Sequence, residues 1–433
     1  MLKTEDYSQS GEVVQTDVLD NGLHVQYVYK PDYHKTYAMF TTNFGSIDNS
    51  FRLAGDEEFT RVPAGTAHFL EHKLFDKEDY DAFDLFGKTG ASANAFTSAT
   101  QTSYLFSTTD HVAENVDILL SFVQDPYFTD ATVEKEKGII GQEIQMYQDD
   151  ADWQLYSGIL GNLYPTHPLH VDVAGSIDSI ATITPDMLKT VHAAFYQPRN
   201  MTLTVVGNFD VDAIHNVVQA NQAKHDFSQL RELERGVQPD YAADSILPYR
   251  MQTLPISRSK AIVGVKGLTE IPDNRDGLRQ TFAVRLLLEM IFGDSGAKYL
   301  DLYDQGVIDE SFFYEFTTGR GFNYITLGGD SADPAQLSET LINVLTDYKD
   351  SPDFTPARFE VLKRAAVGKF FASLNSLENI ANQLASQSFS SVSPFLIPEV
   401  VEGLTFADVQ NAAEMLVRSE AISVFHIHAE EEQ

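Results

Sequence analysis

The chain opens on alternating apolar and polar positions. Val13, Val14 and Val18 lead to Asn21-Gly22, and Leu23, Val25, Tyr27 and Tyr29 follow, which predicts two strands joined by a turn. Residues 37–44 predict a third strand. The period then becomes helical. Thr66 caps a helix running to about Leu74, and residues 80–88 predict another, stopped near Gly90. Residues 94–107 alternate again, rich in Thr and aromatics, and predict one strand. Val112, Val116, Leu119, Leu120 and Val123 make a helical stripe. A long helix follows from about Asp130 to Tyr147. A helix over 186–195 and a strand over 201–206 end this half of the pattern.

Between 224 and 250 the periodicity breaks, interrupted by charges, Gly236, Pro239 and Pro248, as expected of a linker. Similar events then recur. A strand is predicted over 261–267, helices over 278–291 and 299–305, a hairpin around Gly319-Arg320-Gly321, helices over 334–348 and 356–374, and a strand over 421–427. Strands and helices mix without strict βαβ alternation, so the fold class is α+β. The same order of elements in both halves suggests a duplication. The expected division is a domain over 1–228, a linker over 229–250 and a second domain over 251–433.

Composition removes several classes of function. With 433 residues, 43% hydrophobic and 21% charged, the chain can bury more than one core and is not disordered. It has no Cys, which excludes disulfides, thiolate nucleophiles and Cys-ligated metal. The balance of 30 basic to 63 acidic residues, a net charge of −33, disfavours nucleic acid and anionic membrane as partners and favours basic peptides. No apolar run approaches the ~18 residues of a membrane span, and the first residues are polar, so the expected location is the cytoplasm.

The sharpest chemical feature is His68-Phe69-Leu70-Glu71-His72. On a helix, His68 and His72 stand one above the other on one face, so two imidazoles can hold one metal ion. Glu71 lies about 100° round from His72, close enough to reach a water on that ion. This is the zincin pattern with its order inverted. A catalytic zinc needs a third protein ligand and an open position. Glu136 and Glu143, seven residues apart on one face of the long helix, are the candidates: one for the metal, the other to support the site.

Glu143 follows His72 by 71 residues, and this spacing resembles the pitrilysin/insulinase (inverzincin) metallopeptidases. Gly65-Thr66-Ala67 before the first His resembles that family's opening, and Gly90-Ala91-Ser92-Ala93-Asn94-Ala95-Phe96-Thr97 its G-x-x-x-N-A-x-T edge strand. His167-Pro168-Leu169 with Gly175, and residues 196–207, resemble further blocks. The second half resembles the family in element order alone. The resemblance implies two homologous insulinase-like (LuxS/MPP-like) domains forming half of a clamshell. It implies a cytoplasmic zinc-dependent endopeptidase acting on short or unfolded peptides in a closed chamber. His68, His72 and Glu143 would hold one Zn²⁺ per chain, Glu71 would be the general base, and Glu136 would support the site. Asn94, Ala95 and Phe96 would bind substrate by β-augmentation. The second domain would be inactive, with Leu288-Glu289-Met290-Ile291-Phe292 on the equivalent helix. A homodimer, or a heterodimer with a zinc-less homologue, would complete the enzyme, because the family's Arg and Tyr that grip substrate have no counterpart at their usual spacing; Arg320 and Tyr324 stand nearest. A second reading is an accessory or processing factor in the aminopentanol modification of elongation factor P, acting with another insulinase-like protein. His426 and His428, alternating on the last strand, read as surface residues.

Overall fold

The computed structural model describes residues 2–227, 230–386 and 392–430. The chain forms two compact units. The first is Met1–Ile144, Asp172–Val237 and Phe371–Leu396, and the second is Gln145–Val171, Gln238–Phe370 and Ile397–Gln433.

The strands of the first unit are β1 (Lys3–Tyr7), β2 (Glu12–Val18), β3 (His24–Tyr29), β4 (Thr36–Thr42), β5 (Ser50–Leu53), β6 (Thr60–Arg61), β7 (Ser92–Thr97), β8 (Thr102–Thr108), β9 (Met201–Gly207) and β10 (Leu233–Arg235). Seven of them make one sheet in the order β1-β2-β3-β9-β4-β8-β7, and β10-β5-β6 form a small second sheet. The helices that begin in this unit are α1 (Thr66–Phe75), α2 (Ala82–Thr89), α3 (Val112–Gln124) and α4 (Asp130–Asp149), whose last turn belongs to the second unit. The helix α5 (Ala151–Leu163) lies in the second unit, and α6 (Ile177–Ala181), α7 (Pro185–Phe195) and α8 (Val211–Gln222) return to the first.

The second unit has one sheet, β11-β15-β12-β14-β13, from β11 (Tyr249–Leu254), β12 (Lys260–Lys266), β13 (Phe313–Gly319), β14 (Phe322–Asp330) and β15 (Ile422–Ala429). Its helices are α9 (Arg275–Phe292), α10 (Ala297–Asp304), α11 (Pro334–Thr346) and α12 (Pro356–Ser373), whose end from Phe371 belongs to the first unit, then, after α13 (Leu377–Ser386) of the first unit, α14 (Ile397–Glu402) and α15 (Phe406–Leu416).

The duplication expected from element order is present in the sheets. In the first unit β3 runs parallel to β9, and the pairs β9–β4, β4–β8 and β8–β7 are antiparallel. In the second unit β11 runs parallel to β15, and β15–β12, β12–β14 and β14–β13 are antiparallel. Central strands of such sheets are covered on both faces and read as continuous apolar runs. Accordingly β4 is buried along its whole length. Its Ala38 and Phe40 share a core with Phe69 and Leu70 of α1 and Leu119 and Leu120 of α3, while α13 packs on β4 and β9.

The units differ in two segments from a division at residues 228 and 251. The segment carrying α5 packs on β12 and β15, and the segment carrying α13 packs on β4 and β9. Close fit holds α5 there. A Cβ on Gly158 would meet the Phe425 ring at 2.4 Å, and one on Gly264 would meet Ile159 at 2.6 Å. On α13, Ile380, Ala381, Leu384 and Ala385 are buried, and Tyr33 Oη donates to the Asn375 carbonyl at 2.9 Å. Part of the expected linker is structured too, because β10 pairs with β5.

Two further expectations are corrected. Residues 94–107 form a hairpin, β7 and β8, instead of one strand. Ser98 makes the turn: its N–H donates to the Gln101 carbonyl at 2.8 Å, and its hydroxyl accepts from the Gln101 N–H at 3.2 Å. His426 is buried instead of exposed, its Nε2 3.0 Å from Ser338 Oγ, because α11 covers that face of β15.

Candidate metal centre

The start of α1 is fixed by backbone contact. Gly65 has φ 87°, and a Cβ there would meet the Ala174 carbonyl oxygen at 2.4 Å. Gly175, φ 79°, faces Ala64 O in the same way at 2.6 Å, so only glycines allow the two loops to touch. Thr66 Oγ1 donates to the Pro63 carbonyl at 2.6 Å. From there the helix buries Ala67, Phe69, Leu70 and Leu74 in the core. That leaves His68 and His72 on the other side, ring centroids 4.5 Å apart.

Helix α4 brings the carboxylates. Val133, Ile140 and Ile144 bury one face of it, which presents Glu136 and Glu143 to α1. Glu143 Oε1 lies 3.6 Å from His68 Nε2, and Glu143 Oε2 lies 3.7 Å from His72 Nε2. One ligand atom from each of His68, His72 and Glu143 lies within 4.8 Å of the others. Ligands about 2.0–2.2 Å from a tetrahedral zinc stand roughly 3.3–3.6 Å apart, so these atoms fit with a small contraction. Glu136 Oε1 is 3.0 Å from His72 Nδ1, which turns Nε2 of that ring toward Glu143 and the cluster. His68 Nδ1 is buried with no hydrogen-bond partner among the described residues. The donor set, two imidazoles and one carboxylate, is one that zinc takes in hydrolytic sites.

Electrostatics sets the charge states. Burial, aided by His72, pushes His68 down to about 4, so it is neutral near pH 7, the form that binds metal. For His72 burial opposes the charge, but the hydrogen bond its ring donates to Glu136 and the carboxylates of Glu71, Glu136 and Glu143 outweigh it and raise its pKa. Glu71 is raised to about 7, chiefly by burial, with Thr97 and His72 opposing and Glu143 adding to the rise. A divalent cation nearby would favour its carboxylate form. Thr97 Oγ1 donates to Glu71 Oε2 at 2.5 Å. Thr97 stands at the end of the edge-strand motif, but nothing along the chain signals this bond, which depends on β7 lying beside α1.

Asn94, Ala95 and Phe96 lie in the middle of β7, the edge strand of the large sheet. Asn94 is exposed, and its Oδ1 accepts from the Ala95 N–H at 2.9 Å. In the second unit Arg320 sits at the tip of the β13–β14 hairpin. Tyr324 is buried, and its hydroxyl is hydrogen-bonded to that of Tyr156.

Residues 57–175, which carry this cluster, match the family described as insulinase, peptidase family M16, and residues 182–366 match the M16 inactive domain. The chain belongs to the M16 (insulinase) peptidase family. YmfH of Bacillus subtilis, named an uncharacterized zinc protease, is 42% identical over 427 residues, 98% of each chain. A chain described as an M16-like peptidase, from Alicyclobacillus acidocaldarius, superposes with a TM-score of 0.92 at 31% identity, covering 97% of this chain and 99% of that one. A protease from Helicobacter pylori shares the fold, with a TM-score of 0.80 at 16% identity over 96% of this chain and 99% of that one. Two M16 domains and a mixed α+β architecture are thus in place, and among the described residues no helix is long and apolar enough to cross a membrane.

Proposed function

We propose that this chain is a zinc-dependent endopeptidase that cleaves short or unfolded peptides. The convergence of His68 Nε2, His72 Nε2 and Glu143 on one point carries the reading. Zinc bound there supplies Lewis-acid polarisation of a carbonyl and makes water a better nucleophile. The remaining work falls to the chain. Glu136 orients His72. Glu71, held through Oε2 by Thr97, keeps Oε1 for the proton that leaves the attacking water, and returns that proton to the departing amine. A pKa raised by burial suits a group that must both take and give the proton. The outer edge of β7 gives an extended peptide a ladder to join, with Asn94, Ala95 and Phe96 alongside it.

A second chain, a copy or a zinc-less homologue, is proposed to complete the enzyme by supplying groups that grip the substrate. The engagement of Tyr324 with Tyr156 inside its own unit supports this. The test is zinc stoichiometry together with cleavage of an unstructured peptide library. It is run on the chain alone and with a zinc-less homologue, with light scattering to give the mass. One zinc per chain and cleavage abolished in Glu71→Gln is the expected result. Full activity in Glu71→Gln, or no zinc uptake, overturns the reading.

A further inference from the structure

We propose that Thr97 is a positioning residue that fixes the Glu71 carboxylate and ties it to the peptide-binding edge strand. This rests on the reading of Glu71 as the base. A glutamate has three rotatable side-chain bonds, and a carboxylate beside two imidazoles has an alternative use as a fourth metal ligand, which would close the open position. The Thr97 hydroxyl opposes that swing. It has one proton to give and two acceptors in reach: Glu71 Oε2 at 2.5 Å and Thr102 Oγ1 at 3.4 Å. The shorter contact to a carboxylate is the stronger. Thr102 in turn spends its own proton on the Phe44 carbonyl at 2.9 Å, so it does not compete as a donor to Glu71.

Thr97 is itself well anchored. It is the last residue of β7, paired with Thr102 across the hairpin, and its β-branched side chain has few rotamers. Only Oε2 of Glu71 is engaged among the described residues, so the bond orients the group without occupying it. The chain of cause is therefore short. A peptide added to the edge of β7 orders the strand that ends at Thr97, and Thr97 sets the carboxylate that moves the proton. Catalysis is sensitive to such placement, since a shift of about 1 Å costs on the order of 100-fold.

The experiment compares Thr97→Val, which keeps the branched shape without the hydroxyl, with Thr97→Ser, which keeps the hydroxyl. With the zinc-loaded protein and an unstructured fluorogenic peptide, Thr97→Val is expected to lower kcat roughly 10- to 100-fold with KM and zinc content little changed. Thr97→Ser is expected to restore most of that loss. A second readout needs no activity: denaturant unfolding of the metal-free protein in a cycle of Thr97→Val and Glu71→Ala. The destabilisation by Thr97→Val should vanish when Glu71 is already gone, a coupling of about 3-fold or more in the unfolding constant. The proposal is overturned if Thr97→Val keeps wild-type kcat, if only KM changes, if Thr97→Ser is as impaired as Thr97→Val, or if the two sites do not couple. Full activity of Glu71→Gln would instead overturn the underlying reading of the base, a distinct outcome.

Discussion

The helix α1 of the first unit and the helix α9 of the second occupy the same place in the order of elements and end on a similar arrangement with a different outcome. On α1, Glu71 accepts from Thr97 of the edge strand β7 through one oxygen. On α9, Glu289 accepts from Tyr314 of the edge strand β13 at 2.9 Å through Oε2, and from Lys369 of α12 at 3.3 Å through Oε1. Three residues before and one after Glu71 stand His68 and His72; the same offsets from Glu289 hold Leu286 and Met290, both buried. Where α4 brings the acid Glu143, α12 brings the base Lys369. The second unit thus meets its carboxylate with a tyrosine hydroxyl and a solvent-exposed ammonium, one on each oxygen. The first leaves a cluster of ligands and one oxygen open. A duplicated frame can change what faces the carboxylate while the pairing of its five shared strands stays the same.

The contrast can be broken first at the imidazoles. His72→Ala should abolish zinc binding and peptide cleavage, whereas Met290→Ala should leave zinc uptake intact and cost about 2–5 kcal/mol of stability through the cavity it leaves. Metal analysis and thermal unfolding of both variants test this; equal loss of zinc in both would sink it. Next comes the support of the ligand. Glu136→Gln should weaken zinc affinity by about 10- to 100-fold, measured by competition with a chelator. In the second unit the charge that α12 brings, Lys369, is 72% exposed, so Lys369→Met should shift stability by no more than about 1 kcal/mol and leave zinc affinity unchanged.

Acid should strain both units through buried histidines. Burial pushes His192 in the first unit and His167 and His426 in the second down to about 4. The unfolded chain, with pKa near 6.5, takes up these protons first, so stability falls as pH drops from about 6.5 toward about 4 and is regained above. His192→Gln, whose amide can still donate to the Val123 carbonyl that His192 Nε2 reaches at 2.9 Å, should flatten that slope in a pH series of unfolding midpoints. The smallest effect concerns α4. A Cβ at Gly138 meets nothing within 4 Å among the described residues, so Gly138→Ala should add about 0.5–1 kcal/mol; a decrease would show that the helix needs that freedom.

Much of this was legible along the chain because it is local. The H-x-x-E-H spacing needs only a helix to bring two imidazoles together, and seven residues along α4 put Glu136 and Glu143 on one face. What was hidden depends on neighbours distant in sequence. The turn at Ser98 carries no Gly, Pro or Asn, so the alternation of β7 and β8 ran on as one strand. His426 alternates like a surface residue, yet a central strand has no free face. The helix α5 was not among the predicted elements, and the strands it packs on, β12 and β15, lie far along the chain from it.

That last point bears on how the protein is made. A ribosome that has released residues 1–250 has supplied every strand of the large sheet in the first unit, but not the helix that covers β4 and β9, which arrives only with residues 371–396. The candidate metal cluster is therefore encoded early, and the unit that carries it is consolidated late. Until then the nascent chain presents an uncovered apolar face, a stage at which chaperone capture or aggregation competes with folding.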